Sequence, residues 1–305
     1  MRNTISEINN AANLNFRKFI DSCEEEYHGE IMAVAQHISD NSHLKVVMIA
    51  GPSGSGKTTT AQLLSDYLLK LSIHAQIVSL DNFYLSRQDL PILPSGECDT
   101  ESVNALDIKE MQRCFLEIEN CSRTKMPFYD FESGKSIKGK IEVDITNNGI
   151  LIVEGLHALN PVITACLREE NLYKIYISVN EDIYNAKGER VLTSRKIRFI
   201  RRTLRDEKTR GADINATLKL WRQVGCGEEQ YLYCFKDRAD ILLKTLHPYE
   251  LCVYRERFLN SAKAVSKDSD NYKYVKNITE VIKEITPINP NVVPKNSLIR
   301  EFLGE

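Results

Sequence analysis

The residues with the clearest chemical potential lie at 51–58, where three glycines precede a lysine and a threonine. They read Gly51-Pro52-Ser53-Gly54-Ser55-Gly56-Lys57-Thr58 and match the pattern G-x-x-x-x-G-K-[ST]. In this pattern the glycines form a loop whose backbone N–H groups surround an anion, and the positive end of the next helix adds to the attraction. The lysine reaches the outer phosphates, and the threonine hydroxyl contacts Mg²⁺. We therefore predict that this phosphate loop, with Thr59, binds ATP (or GTP) and Mg²⁺, and that Lys57 is also catalytic.

The segments around this loop predict the fold that holds it in place. Short runs rich in Val, Ile, Leu or Tyr predict buried strands at 44–50, 75–80, 149–154, 173–179 and 239–244. Helices are predicted at 57–70, 104–119, 158–169, 196–208 and 212–224. Such alternation is typical of a parallel sheet covered on both faces. We therefore predict an α/β fold of the P-loop NTPase type with a doubly wound parallel sheet.

Two acidic residues each stand at the carboxyl end of a predicted strand. Asp81 follows the second of these strands, and Glu154 ends the third. Because doubly wound sheets bind ligands at this edge, both carboxylates are expected beside the phosphates. We predict that Asp81 is the catalytic base for an acceptor hydroxyl and contacts Mg²⁺ together with Glu154 and Thr58. The alternative for each acid is a turn or helix cap, and nearby His157 is expected to pack rather than to bind substrate.

A cluster of arginines predicts a second anion-binding element. At about 100° per residue, four of them fall within an arc of about 100° on one helix face. The four are Arg198, Arg201, Arg202 and Arg205. Like charges at this spacing repel each other, and a triphosphate would relieve the repulsion. We predict a mobile lid in which Arg201, Arg202 and Arg205 bind ATP and Arg205 is catalytic. The alternatives are a solvated charged face and a nucleic-acid patch.

The composition argues against several classes of protein. The chain has 305 residues, a formal charge of −2 and 27% charged residues, so it lacks a global basic field for nucleic acid. No apolar stretch approaches the roughly 18 residues that cross a membrane, and the N-terminus lacks a signal-peptide pattern. The eight cysteines contain no C-x-x-C pair, which favours reduced thiols. We expect a cytoplasmic protein that acts on a small molecule, without a membrane or nucleic-acid partner.

The chain is predicted to extend beyond the nucleotide-binding core at both ends. Residues 1–42 have helical spacing and predict an N-terminal helical extension. The core is expected at 43–247, with its lid at about 190–232. Residues 248–305 predict a C-terminal helical appendage that closes with a turn at 297–303.

The order of these motifs resembles that of the uridine kinase and phosphoribulokinase family. The GTPase patterns Asp-x-x-Gly and Asn-Lys-x-Asp do not occur, whereas the family's motifs match from about Leu44 to Thr245. The matching segments are 51–58, 81–84, Pro127-Phe128-Tyr129-Asp130-Phe131, Glu154-Gly155, 198–206 and Arg210-Gly211. The chain looks most like a bacterial nucleoside-kinase branch, to which residues 154–161 and the closing Ser297–Phe302 are also similar. Members often carry an N-terminal domain resembling one of threonyl-tRNA synthetase, and only the short helical extension is expected here.

This resemblance implies that a nucleoside pocket lies beside Asp81, the family's catalytic base. Its lining would be Tyr84, Asp99, Tyr129, Phe131 and Arg198. A carboxylate such as that of Asp99 accepts hydrogen bonds from both hydroxyls of a ribose, and Tyr129 and Phe131 would stack a base. The alternatives are a loop acid at 99 and aromatic residues that only pack in the core. Family members are often oligomers, so a homo-oligomer is also expected.

Two positions depart from the family pattern and leave the acceptor open. Uridine kinases of the animal type have a pyrimidine-binding histidine three residues after the phenylalanine that matches Phe131, where this chain has Gly134. The Asp-Thr that precedes the lid arginine is Lys196-Ile197 here. We predict transfer of the γ-phosphoryl group to a primary hydroxyl, first of all the 5′-hydroxyl of a uridine- or cytidine-type nucleoside. The alternatives are a related kinase for pantothenate or a sugar phosphate, and a nucleotide-dependent regulator or RNA-binding module without kinase activity.

Overall fold

A central parallel sheet organises the computed structural model, which describes residues 3–93 and 96–304. The strands within those residues are β1 (Val46–Ala50), β2 (Ala75–Ser79), β3 (Arg123–Asp130), β4 (Lys135–Asp144), β5 (Ile150–Glu154), β6 (Leu172–Ser178), β7 (Ile183–Tyr184), β8 (Arg190–Leu192) and β9 (Ile241–Lys244). The sheet has the order β2-β5-β1-β6-β9 with every pair parallel. Every residue of β1 and β5 is buried, which explains their continuous apolar sequences.

Helices surround this sheet. In the described part of the chain they are α1 (Ile5–Asp40), α2 (Lys57–Lys70), α3 (Ile108–Cys121), α4 (Pro161–Thr164), α5 (Ser194–Thr209), α6 (Ile214–Tyr231), α7 (Glu250–Ala262), α8 (Tyr272–Lys283) and α9 (Arg300–Leu303). None of them combines the length and the apolar character that crossing a bilayer requires.

Each face of the sheet has its own hydrophobic core, because neighbouring residues of a strand point to opposite sides. Val47 and Ile49 of β1 belong to the core that includes α1, α2, α5, α7 and α8. Val46 and Met48 belong to the opposite core, which includes α3 and α4. The doubly wound α/β fold with helical segments at both ends, predicted from the sequence, is therefore confirmed.

The structure differs from the prediction in two segments that follow the phosphate loop. An antiparallel hairpin of β3 and β4 lies outside the predicted strands. Most of β4 is exposed, and Pro127 sits at a register shift between Met126 and Phe128, so neither strand has the apolar period that marks a buried one. The helix predicted at 158–169 is wrong in length, since only Pro161–Thr164 is helical.

Both ends of the chain pack on the core next to the phosphate loop. On α1, the hydroxyl of Tyr27 forms a hydrogen bond of 2.6 Å with that of Thr60 on α2. The buried carboxylate of Glu24 accepts hydrogen bonds from Tyr249 and, at 2.6 Å, from Ser297 Oγ. These contacts join both ends to the core, and the division of the chain at 42 and 247 stays a prediction.

Candidate active site

A cavity of about 730 Å³ opens at the carboxyl ends of β1, β2 and β5. The predicted site residues on its wall are Ser53, Gly54, Gly56, Lys57, Thr58, Asp81, Tyr84, Tyr129, Phe131, Glu154, Arg202 and Arg205. As the structure describes the wall, it does not include Gly51, Pro52, Ser55, Thr59, Asp99, Arg198 and Arg201. The structure thus brings together predicted residues from the phosphate loop, two strand ends, the hairpin and α5.

The phosphate loop has the backbone that its glycines predict. Gly54 and Gly56 have φ angles of +73° and +91°, which residues with a side chain rarely adopt. A Cβ on Gly51 would lie 2.5 Å from the carbonyl oxygen of Ile177. Helix α2 begins at Lys57, so its positive end borders the cavity. The loop therefore has the form of an anion-binding nest.

Asp81 and Glu154 line the cavity beside Lys57. Ser79, rather than Asp81, caps the short 3₁₀ turn Leu80–Phe83. Asp81 is exposed within the cavity, and desolvation by the protein around it raises the pKa of its carboxyl above the usual range, although the charge of Lys57 opposes the rise. Burial raises the pKa of Glu154 in the same way. A carboxylate with a raised pKa is a stronger base than one with an ordinary pKa, which suits the predicted role of Asp81.

The side chains of Thr58, Asp81 and Glu154 line one cavity, and their oxygen atoms are the kind of ligand that Mg²⁺ prefers. In residues 3–93 and 96–304, no group of three or more His, Cys, Asp or Glu side chains is arranged to hold a metal alone. A Mg²⁺ ion in phosphoryl transfer needs only one or two carboxylates, since substrate phosphates supply further ligands. The three residues therefore fit Mg²⁺, and their assignment as its ligands stays a prediction.

His157, three residues after Glu154, is buried with its ring 5.8 Å from that of Tyr231. Burial lowers the pKa of His157 from 6.5 to about 4. The unfolded chain therefore binds a proton here at a pH where the folded chain does not. The contribution of His157 to the free energy of unfolding should be retained above pH 6.5 and should fall by up to about 3 kcal/mol as the pH drops toward 4.

Urea unfolding of the wild type and of His157→Gln at pH 7 and pH 5 would measure this contribution. The variant should lose less stability than the wild type between the two pH values, because its side chain does not titrate. The exposed His43 offers a matched control, and His43→Gln should keep the wild-type dependence. The same loss in all three proteins would contradict a buried neutral His157.

Two arginines of the predicted lid already have acidic partners. Arg198 on α5 forms a two-pronged salt bridge with Glu228 on α6, with distances of 2.6 and 2.8 Å. Arg201 forms a similar pair with Glu250 on α7, at 2.6 and 2.9 Å, and both members of that pair are fully buried. The prediction that four unpartnered guanidiniums share a face toward ATP is therefore wrong for these two, because acids from neighbouring helices neutralise them.

Arg198 and Arg201 instead hold the phosphate loop from behind. Arg198 Nη1 donates to the carbonyl of Ser53 at 2.9 Å, and Arg201 Nη1 donates to that of Gly54 at 3.2 Å. Glu228 adds to this support, because its Oε1 atom accepts a hydrogen bond of 2.9 Å from the backbone N–H of Ser53. Sequence reasoning missed Glu228, which also lines the cavity. The spacing on α5 gives no signal for this partner, because Glu228 lies on a different helix.

Three other arginines line the cavity around one buried acid. Arg202, Arg205 and Arg210 lie 3.2, 2.9 and 3.6 Å from carboxylate oxygens of Asp206. Arg202 also donates to the hydroxyl of Ser53 at 2.9 Å. Glu301 also lies 3.9 Å from Arg205, so three positive charges face two carboxylates, and the remaining positive charge attracts a polyphosphate. The geometry is compatible with the predicted binding of ATP by Arg202 and Arg205.

Tyr84, Tyr129 and Phe131 form an aromatic group on the cavity wall. The ring centroids of Tyr129 and Phe131 are 5.0 Å apart, and those of Tyr84 and Tyr129 are 5.5 Å apart. Tyr84 Oη donates to the carbonyl of Thr100 at 2.9 Å, which holds its ring in place. Phe131 is 62% exposed. An exposed ring beside two fixed ones offers a flat apolar surface for a ligand.

The loop before α3 presents a different acid to the cavity than the sequence predicts. Asp99 Oδ1 accepts hydrogen bonds from the backbone N–H groups of Glu101 and Ser102, at 3.1 and 3.0 Å. Glu101 lines the cavity, and burial raises the pKa of its carboxyl. Asp99 thus uses one carboxylate oxygen in the turn and is not on the described wall of the cavity, and its place in the nucleoside pocket stays a prediction. Glu101 is the acid of this loop that lines the cavity in the structure.

Arg87 lies beside Gly134, one of the positions at which the sequence departs from the expected family pattern. A Cβ on Gly134 would lie 2.9 Å from Arg87 Nε, and the φ angle of +66° also disfavours a larger residue. The backbone N–H of Arg87 donates to the carbonyl of Gly134 at 2.8 Å. Because Arg87 lines the cavity, this side of the predicted acceptor pocket carries a permanent positive charge.

The parallel sheet, the phosphate loop and the two acids at strand ends define a P-loop kinase. Residues 46–251 match the phosphoribulokinase / uridine kinase family, and the chain belongs to that family. The resemblance seen in the sequence motifs is thereby confirmed.

Relatives named as uridine kinases agree with this class, and a solved structure shares the fold. The chain is 29% identical over 199 residues to a uridine kinase of Mycoplasma genitalium. The aligned region covers 65% of this chain and 84% of the relative. It is 27% identical over 181 residues to the uridine kinase of Saccharomyces cerevisiae, but spans only 32% of that protein's length and 58% of its own. A crystal structure from Silicibacter sp. TM1040, described as a fructose transport system kinase, shares the fold with a TM-score of 0.50 at 19% identity, over 70% of this chain and 98% of that one.

Proposed function

We propose that the protein transfers the γ-phosphoryl group of ATP (or GTP) to a primary hydroxyl of a small molecule, with the 5′-hydroxyl of a uridine- or cytidine-type nucleoside as the first candidate. One observation carries the proposal: Lys57 of the phosphate loop, Asp81 and the aromatic group line a single cavity. A donor site, a base and a surface for a flat ring therefore lie within reach of one another. The uridine kinases among its relatives support the nucleoside as acceptor.

In this mechanism the chain positions both substrates and moves one proton. Lys57 and the loop N–H groups hold the triphosphate. Asp81 accepts the proton of the acceptor hydroxyl as that oxygen bonds to the γ-phosphorus and the bond to the bridging oxygen of ADP breaks. Arg205 stabilises charge on the transferring group. When bound, Mg²⁺ held by Thr58, Asp81 and Glu154 would neutralise phosphate charge.

A panel of acceptors tests this function. The protein is incubated with ATP, Mg²⁺ and one of several nucleosides, pantothenate or sugar phosphates, and the products are identified by mass. Phosphorylated uridine or cytidine is the expected product. If only a non-nucleoside is phosphorylated, the acceptor belongs to another chemical class. If no acceptor is phosphorylated, the proposed kinase activity is contradicted.

A second candidate acceptor carries its own negative charge, as pantothenate and sugar phosphates do, and the position of Arg87 favours it. If such an acceptor is used, Arg87→Met should raise its KM about tenfold or more, because a charge-assisted hydrogen bond is lost. The KM of an uncharged nucleoside should change less than about twofold. Steady-state kinetics with both acceptors would measure this split, and equal effects on the two would argue against recognition of charge by Arg87.

The remaining alternative, a regulator or RNA-binding module, now has less support. It was suggested by the arginine face and by the synthetase-like domain expected in similar proteins, and Arg198 and Arg201 of that face are buried against acids. Consumption of ATP that rises when an acceptor is added would distinguish a kinase from such a module.

A further inference from the structure

The closing residues 297–303, here called the C-terminal segment, pack directly against the phosphate loop. Leu298 covers Gly56 so closely that a Cβ there would lie 2.5 Å from its Cδ1 atom. Thr59 Oγ1 donates to the carboxylate of Glu301 at 2.6 Å. None of the catalytic roles proposed above uses this segment, although it borders the predicted donor site.

The C-terminal segment is firmly held there. Leu298, Ile299 and Phe302 are fully buried. The ring of Phe302 lies 4.9 Å from the guanidinium carbon of Arg201, and Arg257 donates to the carbonyl of Leu303 at 2.7 Å. Glu301 is therefore carried on a fixed support, as a residue that reads a ligand must be.

A second cavity of about 550 Å³ adjoins the first. The two share Thr58, Arg205, Arg210 and Glu301. Beyond these shared residues, one side of the second cavity is formed by α2 and the other by 295–300. The aromatic group lines the first cavity alone. The shared residues thus mark a passage that leads from the phosphate loop away from the aromatic group.

The direction of a bound triphosphate follows from the position of Asp81, and this step rests on the proposed function. The γ-phosphate must face the acceptor hydroxyl, which lies beside Asp81 in the first cavity. The ribose and base are at the opposite end of the triphosphate. They must therefore leave the loop on the side away from the acceptor, where the second cavity opens beside Thr58 and Arg205.

Glu301 lies at this passage, and its carboxylate can accept further hydrogen bonds. Its side chain is 18% exposed, one oxygen accepts from Thr59, and the other lies 3.9 Å from Arg205. A carboxylate repels phosphates but accepts hydrogen bonds from hydroxyl groups, and its two oxygens have about four acceptor sites. We propose that the second cavity holds the ribose and base of the donor nucleotide, and that Glu301 accepts hydrogen bonds from the two ribose hydroxyls.

Calorimetric titration of the full chain separates the parts of the donor that are recognised. The ligands are ATP, 2′,3′-dideoxy-ATP and inorganic tripolyphosphate, and the proteins are the wild type, Glu301→Gln and Glu256→Gln. Glu256 is an exposed acid of α7 outside both cavities, so its variant controls for the loss of one negative charge. Tripolyphosphate reports on the phosphate loop alone.

The wild type should bind ATP about tenfold or more tightly than dideoxy-ATP. Glu301→Gln should weaken the binding of ATP by a similar factor and should change the binding of dideoxy-ATP and tripolyphosphate less than about twofold. Glu256→Gln should leave the affinities for all three ligands unchanged. Equal weakening of both nucleotides would overturn the proposal, since Glu301 would then only support the loop. Tighter binding of all three ligands would overturn it as well, because Glu301 would act as a competing anion. Both of these results leave the proposed kinase function intact, provided that the wild type binds ATP. A wild type that binds neither ATP nor tripolyphosphate would contradict both the proposed function and the role of Glu301.

Discussion

Asp81→Asn should lower turnover with the best acceptor by about 10²–10⁴-fold, and it should leave the affinity for ATP, measured without Mg²⁺, within about threefold. Asparagine keeps the size of the side chain but cannot accept the hydroxyl proton. The phosphate loop and the arginines around Asp206, which would hold the triphosphate, are unchanged. Steady-state kinetics and calorimetric titration of ATP measure the two quantities separately.

The pH profile gives this test a second readout. Because the protein around Asp81 raises the pKa of its carboxyl, the wild type should lose activity toward acid at a higher pH than a carboxyl with an ordinary pKa would dictate. The residual activity of Asp81→Asn should lack this acid limb. Asp21→Asn, at an exposed site on α1, is the matched control and should behave as the wild type. Near-normal turnover of Asp81→Asn would contradict its role as the base.

Arg201→Met should lower the free energy of unfolding by about 3–5 kcal/mol, because it leaves the carboxylate of Glu250 buried without its partner. The fully buried pair joins α5 to α7. An exposed pair serves as the control: Arg123, 65% exposed and paired with Asp144 at 2.9 Å, should lose less than about 1 kcal/mol as Arg123→Met. Urea unfolding at neutral pH measures both.

The double variant Arg201→Met/Glu250→Leu separates charge from packing. Replacing both partners by apolar side chains removes the unpaired charge, so the double variant should recover most of the stability that Arg201→Met loses. A loss below about 1 kcal/mol in Arg201→Met would contradict the buried pair. The cycle also tests the corrected role of this arginine, since a residue that only bound ATP would contribute little to folding.

The fold could be predicted from the sequence because its signals are local. A strand buried on both faces is a continuous apolar run, as in Val46–Ala50. The phosphate loop depends on glycines at positions with left-handed backbone. Asp81 and Glu154 could be placed beside that loop because parallel strands end at one edge of a sheet.

Partners chosen by tertiary packing could not be predicted in the same way. Arg198 and Arg201 look free on a helical wheel, and only the packing of α6 and α7 brings Glu228 and Glu250 to them. Arg87 meets Gly134 at the turn of the hairpin, whose strand β4 is mostly exposed and carries no clear apolar period. Long-range contacts of this kind depend on how elements pack, which residue spacing does not encode.

The central claim of the proposed function is that the cavity binds a nucleoside as the phosphoryl acceptor. Phosphorus NMR of the full chain with ATP, Mg²⁺ and uridine follows every phosphorus atom at once. The predicted result is a growing phosphomonoester signal from uridine 5′-monophosphate that matches the ADP formed, with no ADP when uridine is omitted. Hydrolysis of ATP to ADP and inorganic phosphate without a phosphorylated nucleoside would contradict a nucleoside kinase. ATP that stays intact with every nucleoside supplied would contradict it as well.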